Sequence, residues 1–349
     1  MKPYNAILVG NGTMGKRHRT RFGACGVKFI ATADNQDEFD GITDKLIFKA
    51  ADDNTAGVLP AGVEIAGGLL ADFAVIASPA STHYAYAKFF LERKIPVFVE
   101  KPLAVAGEEA QELVDLAAKN DTLLFVAQSE CYNPIFLNFR KHFLAELNSR
   151  LGSGDKQSDA SEKRSDVGDK LPAGSVRLEF RREHRRSERC RDVNVALDLL
   201  VHDLSLFLTM FRAEDVKVEW FKTGKKSASD PENFDSAMVR LSLAAGPHEG
   251  VIADFYVNRN SDCDVRTISV DFARAVKLEG VVPETCYTVS LVRYTPEGEI
   301  AHIPDSLDNE HRFFLKLLAG ACGEWGRRAA QSAADCVKIA IPASISPQS

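Results

Sequence analysis

Residues 7–15, Ile7-Leu8-Val9-Gly10-Asn11-Gly12-Thr13-Met14-Gly15, constrain what this chain can fold into more than any other stretch. A short apolar run enters G-x-G-x-x-G and a helix-like stretch follows, a pattern that reads as strand, tight turn and helix. The glycines have separate jobs. Gly10 permits the turn, Gly12 lets the backbone approach a pyrophosphate, and Gly15 lets the helix pack closely on its strand. The helix N-terminus then offers unsatisfied N–H groups and the positive end of its dipole to phosphates. A second apolar run, 28–33, ends in Asp34. That is close to the spacing of about 20 residues expected of an acid that binds ribose hydroxyls. Together these features predict a dinucleotide-binding domain. The Asp34 charge also repels a 2′-phosphate, and no Arg or Lys follows it until Lys45, so NAD is favoured over NADP. A solvated aspartate at a strand end is the plainer reading of Asp34.

The 349 residues suffice for two domains of ordinary size. With 45% hydrophobic and 26% charged residues, a soluble globular protein is expected. The net charge of −6 argues against a nucleic-acid binder. No run of about 18 apolar residues occurs, so no membrane span is expected. The first strand begins within a few residues of Met1, leaving no room for a signal peptide. Cys25, Cys131, Cys190, Cys263, Cys286, Cys322 and Cys336 are scattered, with no C-x-x-C pair. They read as reduced thiols of a cytoplasmic protein, with no metal site.

From Tyr4 to Gln128, short apolar runs (6–9, 28–33, 73–77, 97–100 and 123–127) alternate with helical patterns (15–25, 81–93 and 107–120). Such alternation predicts a parallel sheet covered on both faces. Residues 35–71 carry turn signals but no clear period. A helix is predicted over 132–148, then a polar loop over 152–168 that reads as mobile. Beyond Pro172 the texture turns to β: 176–181, 216–221, 237–243, 251–257, 267–272 and 287–292 read as strands of a large, mostly antiparallel open sheet. Helical patterns return at 309–319 and 326–341, and these helices are expected to pack back on the first domain. The fold class is therefore α/β, divided into a dinucleotide-binding domain over 1–130 and a substrate-binding and oligomerisation domain over 131–349.

Residues 193–211 are apolar almost all round, as in a buried helix. Asn194, Asp198, His202, Ser205 and Thr209 nevertheless recur at spacings of four, four, three and four, forming one polar stripe. A buried Asp and His need partners. A pocket floor supplies them, and so does a purely structural polar network. Asp198 and His202, at i and i+4, can meet, which would orient the imidazole and raise its basicity for general-base work. Glu100-Lys101-Pro102 closes the apolar run 97–99, and the carboxyl ends of parallel strands are where ligands bind. Lys101 is either aimed at the cofactor cleft or a surface charge. Ala77 to His83 follows another buried strand. Its loop could cross the cofactor, with Ser81 or Thr82 capping the next helix and His83 in its first turn. Residues 181–191 hold six arginines and His184, either to recognise a phosphate or as a solvated or subunit-contact segment.

Gly10 to Gly15 with Met14 and His18, Asp34, Ser78-Pro79 with His83, Glu100-Lys101-Pro102 and Asp198-x-x-x-His202 together resemble the Gfo/Idh/MocA oxidoreductases in order and spacing. The resemblance implies a Rossmann domain followed by an α/β domain whose open sheet often mediates oligomerisation, here to a homodimer or homotetramer. It implies hydride exchange between NAD(P) and a hydroxyl-bearing carbon of a sugar, cyclitol or nucleotide sugar. It carries catalytic roles to Lys101, Asp198 and His202. Cofactor contacts fall to Gly10, Gly12, Thr13, Met14, Gly15, Asp34, Ser78, Pro79, His83, Glu100, Lys101 and Gln128. Residues 128–134 and 192–203 are similar to segments of bacterial members acting on UDP-amino sugars. Cys131-Tyr132, Asn194 and Ser205 depart from that pattern by replacing Arg-Phe, Gly and Asp. A redox-neutral, NAD-retaining sugar-cleaving enzyme and a non-enzymatic NAD(P) sensor or scaffold are the rival readings.

Overall fold

A computed structural model describes residues 3–43, 46–48, 63–65, 69–152, 175–185, 193–224, 226–227, 230–272, 286–291, 306–320 and 323–341. The predicted loop 152–168, beyond Gly152, lies outside the described residues, as do Arg186, Arg189 and Arg191. Two compact units are present, and neither is one continuous stretch. The first comprises Met1–Tyr132, Glu188–Ser205 and Ile303–Ser349; the second comprises Asn133–Ser187 and Leu206–His302. The first break falls near residue 130, and two later segments return to the first unit. The segment carrying Asp198 and His202 and the C-terminal helices belong with the glycine loop.

The first unit is built on β1 (Asn5–Val9), β2 (Lys28–Ala33), β6 (Phe73–Ile76), β7 (Val97–Glu100) and β8 (Leu124–Ala127). They form a parallel sheet in the order β2-β1-β6-β7-β8. Strands buried on both faces read as unbroken apolar runs, which is why 73–76 and 97–99 are apolar throughout. The helices are α1 (Thr13–Ala24), α2 (Gln36–Thr43), α3 (His83–Glu92) and α4 (Gly107–Lys119). The stretch without a clear period contains α2 and a small antiparallel meander, β3 (Leu46–Phe48), β4 (Val63–Ile65) and β5 (Leu69–Ala71). Three-residue strands are too short to show a period, so the sequence pattern could not reveal them.

The chain returns to this unit as α7 (Ser306–Leu318) and α8 (Gly323–Ala340). Phe314, Leu315, Leu317 and Leu318 of α7 join Phe22 of α1 and Phe73, Phe98 and Phe125 of the sheet in one core. The α8 helix packs on α4 and β8. The C-terminal helices thus belong to the first unit.

The second unit holds α5 (Pro134–Gly152) and a six-stranded sheet. Its strands are β9 (Val176–Arg185), β10 (Val216–Thr223), β13 (Ser236–Leu243), β14 (Val251–Ser261), β15 (Val265–Phe272) and β16 (Cys286–Ser290), in the order β10-β13-β14-β9-β15-β16. Every pair is antiparallel except β14 with β9. A short hairpin, β11 (Lys226–Ser227) with β12 (Asp230–Phe234), stands apart from it. Leu178, Phe180, Val239, Leu241, Ala253, Phe255, Ile268 and Val270 point inward in strict alternation. The opposite face carries an ionic ladder in which Asp254 takes both Arg177 and Arg240.

Candidate active site

The strand order reverses between β1 and its neighbours β2 and β6, the switch point at which doubly wound sheets bind ligands. The glycine loop follows β1 and the loop 77–82 follows β6, so both open at this crevice. Gly10 has φ +89°, and a β-carbon there would sit 2.4 Å from the Ser78 amide nitrogen. A β-carbon at Gly15 would sit 1.9 Å from the Gly10 carbonyl oxygen, whereas at Gly12 it would meet nothing within 4 Å. Gly10 and Gly15 are thus glycine because backbone presses on them, and Gly12 because a ligand must approach it.

The glycine loop and its neighbours fit a dinucleotide. Gly12 caps α1 with no side-chain hydrogen bond, leaving the first-turn N–H groups of Thr13 and Met14 available to phosphate. The Asn11 side-chain oxygen is buried with no donor among the described residues. The Asp34 Oδ1 accepts the Asn11 N–H at 2.7 Å, fixing the carboxylate beside the loop. Its Oδ2 receives no donor among the described residues and is available to ribose hydroxyls.

His83 is not presented to a ligand. It is buried, with Nδ1 2.7 Å from the Pro102 carbonyl oxygen and Nε2 3.0 Å from that of Ser78. It ties the loop after β6 to the loop after β7. The expected cap from Ser81 or Thr82 is also absent. Thr82 stands at the N-cap, but its hydroxyl donates to the Pro79 carbonyl and lies 2.7 Å from Ser78 Oγ. Gln128, at the end of β8, places its side-chain nitrogen 4.0 Å from Cys336 Sγ of α8.

Glu100 closes β7 and Lys101 follows it, and their side chains reach different partners. The Glu100 Oε1 lies 2.7 Å from His18 Nε2, and its Oε2 accepts the Lys101 N–H at 3.1 Å. Burial would raise the Glu100 pKa, but the His18 hydrogen bond and charge, helped by Lys101 and His83, outweigh it and hold the group lowered, as a carboxylate. Lys101 reaches the segment after residue 193. Its Nζ donates to the Asp198 carbonyl oxygen at 2.8 Å and to Oδ1 at 3.1 Å.

That segment is not one regular helix. Ala196–Leu200 is a π-helical turn, and α6 (Val201–Leu208) continues from it. Single π turns are frequent at functional sites. Here the turn brings both the main-chain and the side-chain oxygen of Asp198 to one ammonium. The Asp198 carboxylate bonds Lys101 and not His202, so the predicted i, i+4 dyad is replaced by a Lys–Asp pair. The other members of the stripe are accounted for locally. Asn194 Oδ1 accepts the amides of Ala196 and Leu197, as an N-cap does. The Ser205 hydroxyl donates to the His202 carbonyl and Thr209 to that of Leu206. Buried Ser205 also accepts from Cys131 Sγ at 3.3 Å. His202 is half-buried, one turn beyond Asp198.

The described arginines of the basic run serve the second sheet. Arg181 pairs with Glu183, Arg182 is buried, and Arg185 bonds the Asp262 carbonyl oxygen. The sequence does not reveal these partners, because they are on β9 itself and on the turn after β14.

Glycine loop, strand-end acid and switch point define the first unit as an NAD-binding Rossmann domain. Residues 5–128 match the profile described as "Oxidoreductase family, NAD-binding Rossmann fold", that of the Gfo/Idh/MocA proteins. The chain is 24% identical over 188 residues to a UDP-N-acetylglucosamine 3-dehydrogenase of Acidithiobacillus ferrooxidans, covering 54% of this chain and 49% of that protein. It is 25% identical over 262 residues to an inositol 2-dehydrogenase of Saccharopolyspora erythraea, covering 74% and 69%. The first match thus spans about half the length of that relative. The solved structure of the A. ferrooxidans enzyme superposes with a TM-score of 0.61 over 98% of both chains, at 18% identity. The Thermus thermophilus WlbA dehydrogenase, in complex with NAD and UDP-GlcNAcA, gives 0.57 over 97% of this chain and 93% of that one, at 15% identity. These structures share its fold.

Proposed function

We propose that this chain is an NAD-dependent dehydrogenase that oxidises a hydroxyl-bearing carbon of a sugar, cyclitol or nucleotide sugar. The observation that carries the reading is the Lys101 ammonium, held by both oxygens of Asp198 at the carboxyl end of β7. Relatives acting on UDP-N-acetylglucosamine and on inositol support this substrate class.

NAD, when bound, accepts a hydride at its nicotinamide. The chain's residues govern the proton and the oxygen. His202 takes the hydroxyl proton as general base. The Lys101 ammonium donates to the same oxygen and stabilises the negative charge that develops there as the proton leaves. Asp198 fixes the Lys101 side chain and balances its charge. Asp34 and the α1 N-terminus hold the ribose and the pyrophosphate. The hydroxyl oxygen loses a proton and its carbon a hydride, leaving a carbonyl.

Absorbance in the NADH band, followed with UDP-sugars, free sugars, sugar phosphates and inositols, tests the reading. Lys101→Ala and His202→Ala should each lower kcat by about 10²–10⁴-fold while NAD still binds. Unchanged turnover in both variants would refute the assigned roles. The outer face of the second sheet, with half-buried Trp220 and Tyr256 and exposed Met238, supports assembly into a homodimer or homotetramer, which native mass spectrometry reads directly.

A further inference from the structure

Two buried histidines of the first unit take no part in the chemistry above. His18 lies one turn into α1 and His311 lies on α7; neither is exposed to solvent. The rings are walled by Phe98 and Phe22, with His311 centred 4.1 Å from Phe22. From α7 to β7 runs a continuous chain of hydrogen bonds. His311 Nδ1 is 2.5 Å from the Leu307 carbonyl oxygen, His311 Nε2 is 2.9 Å from His18 Nδ1, and His18 Nε2 is 2.7 Å from Glu100 Oε1.

Counting donors assigns the protons. The Leu307 carbonyl can only accept, so His311 carries hydrogen on Nδ1; the hydrogen between the rings belongs to His18, the ring in contact with the Glu100 carboxylate, which leaves His311 Nε2 as an acceptor. His18 then donates from Nδ1 to His311 and from Nε2 to Glu100. We propose that His18 is an imidazolium clamped between the Glu100 carboxylate and a neutral His311, and that this clamp positions Lys101. The link to Lys101 is short, because Glu100 Oε2 holds the Lys101 amide. Burial, then the neighbouring His18 charge, lower the His311 pKa to about 4, in keeping with its neutral state. The charged or titratable groups facing the trio are Lys101 and His83 around Glu100 and Asp308 beside His311, with Asp308 paired to Arg21 of α1. His311 is thus a positioning residue, supplied by the returning C-terminal helix.

The importance of Lys101 position rests on the function proposed above; the charge on His18 does not. Protein labelled with ¹⁵N-histidine is read by NMR at about pH 8, above the ordinary histidine value of about 6.5. Expected are protons on both His18 nitrogens and a ¹⁵N–¹⁵N coupling across the His18–His311 hydrogen bond. A single protonated His18 nitrogen, or no coupling, overturns the proposal. Trace acylation of Lys101, read by peptide mass spectrometry, follows its position without any substrate. His311→Leu should raise Lys101 labelling several-fold, and His311→Gln, which restores an acceptor, should return it toward wild type. Wild-type labelling in folded His311→Leu overturns the positioning role, and if that variant does not fold the NMR result decides. A confirmed clamp in a chain that oxidises no hydroxyl compound would sink the dehydrogenase reading alone.

Discussion

A β-carbon added at Gly15 would overlap the Gly10 carbonyl oxygen at 1.9 Å, and backbone cannot yield as a flexible side chain can. Gly15→Ala is therefore expected to lose stability by about 2 kcal/mol, as overpacking does, and to weaken NAD binding at least tenfold by displacing the loop. Calorimetric titration and thermal melting measure the two effects. His311 makes a second prediction at this scale. Its folded pKa of about 4 lies below the value of about 6.5 expected when unfolded, so the unfolded chain binds the extra proton first. The contribution is fully present above pH 6.5 and is lost as pH falls toward 4, about 3 kcal/mol in all. Urea unfolding across that window should show the slope, and His311→Gln should flatten it. The glycines were legible because each has one physical reason to be glycine. His311 was not, because its importance comes from a ring 293 residues away in sequence.

Secondary-structure elements were readable where one face or both are buried over several residues. The five strands of the Rossmann sheet and the alternating strands of the second sheet lie close to where their apolar patterns place them. The segment from Val193 onward was read as one regular helix, and its π turn was invisible. A period of 3.6 residues and one interrupted by a single wide turn look alike in apolar composition. The turn has a chemical consequence, since it gives Asp198 to Lys101. Cys131 and Ser205 belong to the same scale. Each departs from the resembled UDP-amino-sugar segments, which have Arg and Asp there, and the two side chains meet. Cys131→Arg alone should cost about 3 kcal/mol by placing an unpaired charge beside buried Ser205, and adding Ser205→Asp should recover more than half of that loss. A double-mutant cycle in urea measures the coupling.

Across the whole molecule, the first unit is completed by chain that arrives last. Phe314, Leu315, Leu317 and Leu318 close the core over the Rossmann sheet, and at about 2 kcal/mol per buried side chain they contribute about 8 kcal/mol. That is comparable to the entire stability of a typical domain, about 5–15 kcal/mol. A fragment ending at Tyr132 should therefore lack cooperative unfolding, and adding the 303–349 segment in trans should restore helical circular dichroism. Sequence alone determined the Rossmann class, the open antiparallel sheet and the glycine–aspartate cofactor signature, because strand and helix periods and glycine sterics are local properties. Tertiary structure alone decided that Lys101 pairs with Asp198, that His83 is a strut between loops, that the described arginines serve their own sheet, and that His311 completes a buried network. Each of those depends on which distant side chain fills the remaining hydrogen-bond or charge requirement, and no spacing along one strand or helix encodes that.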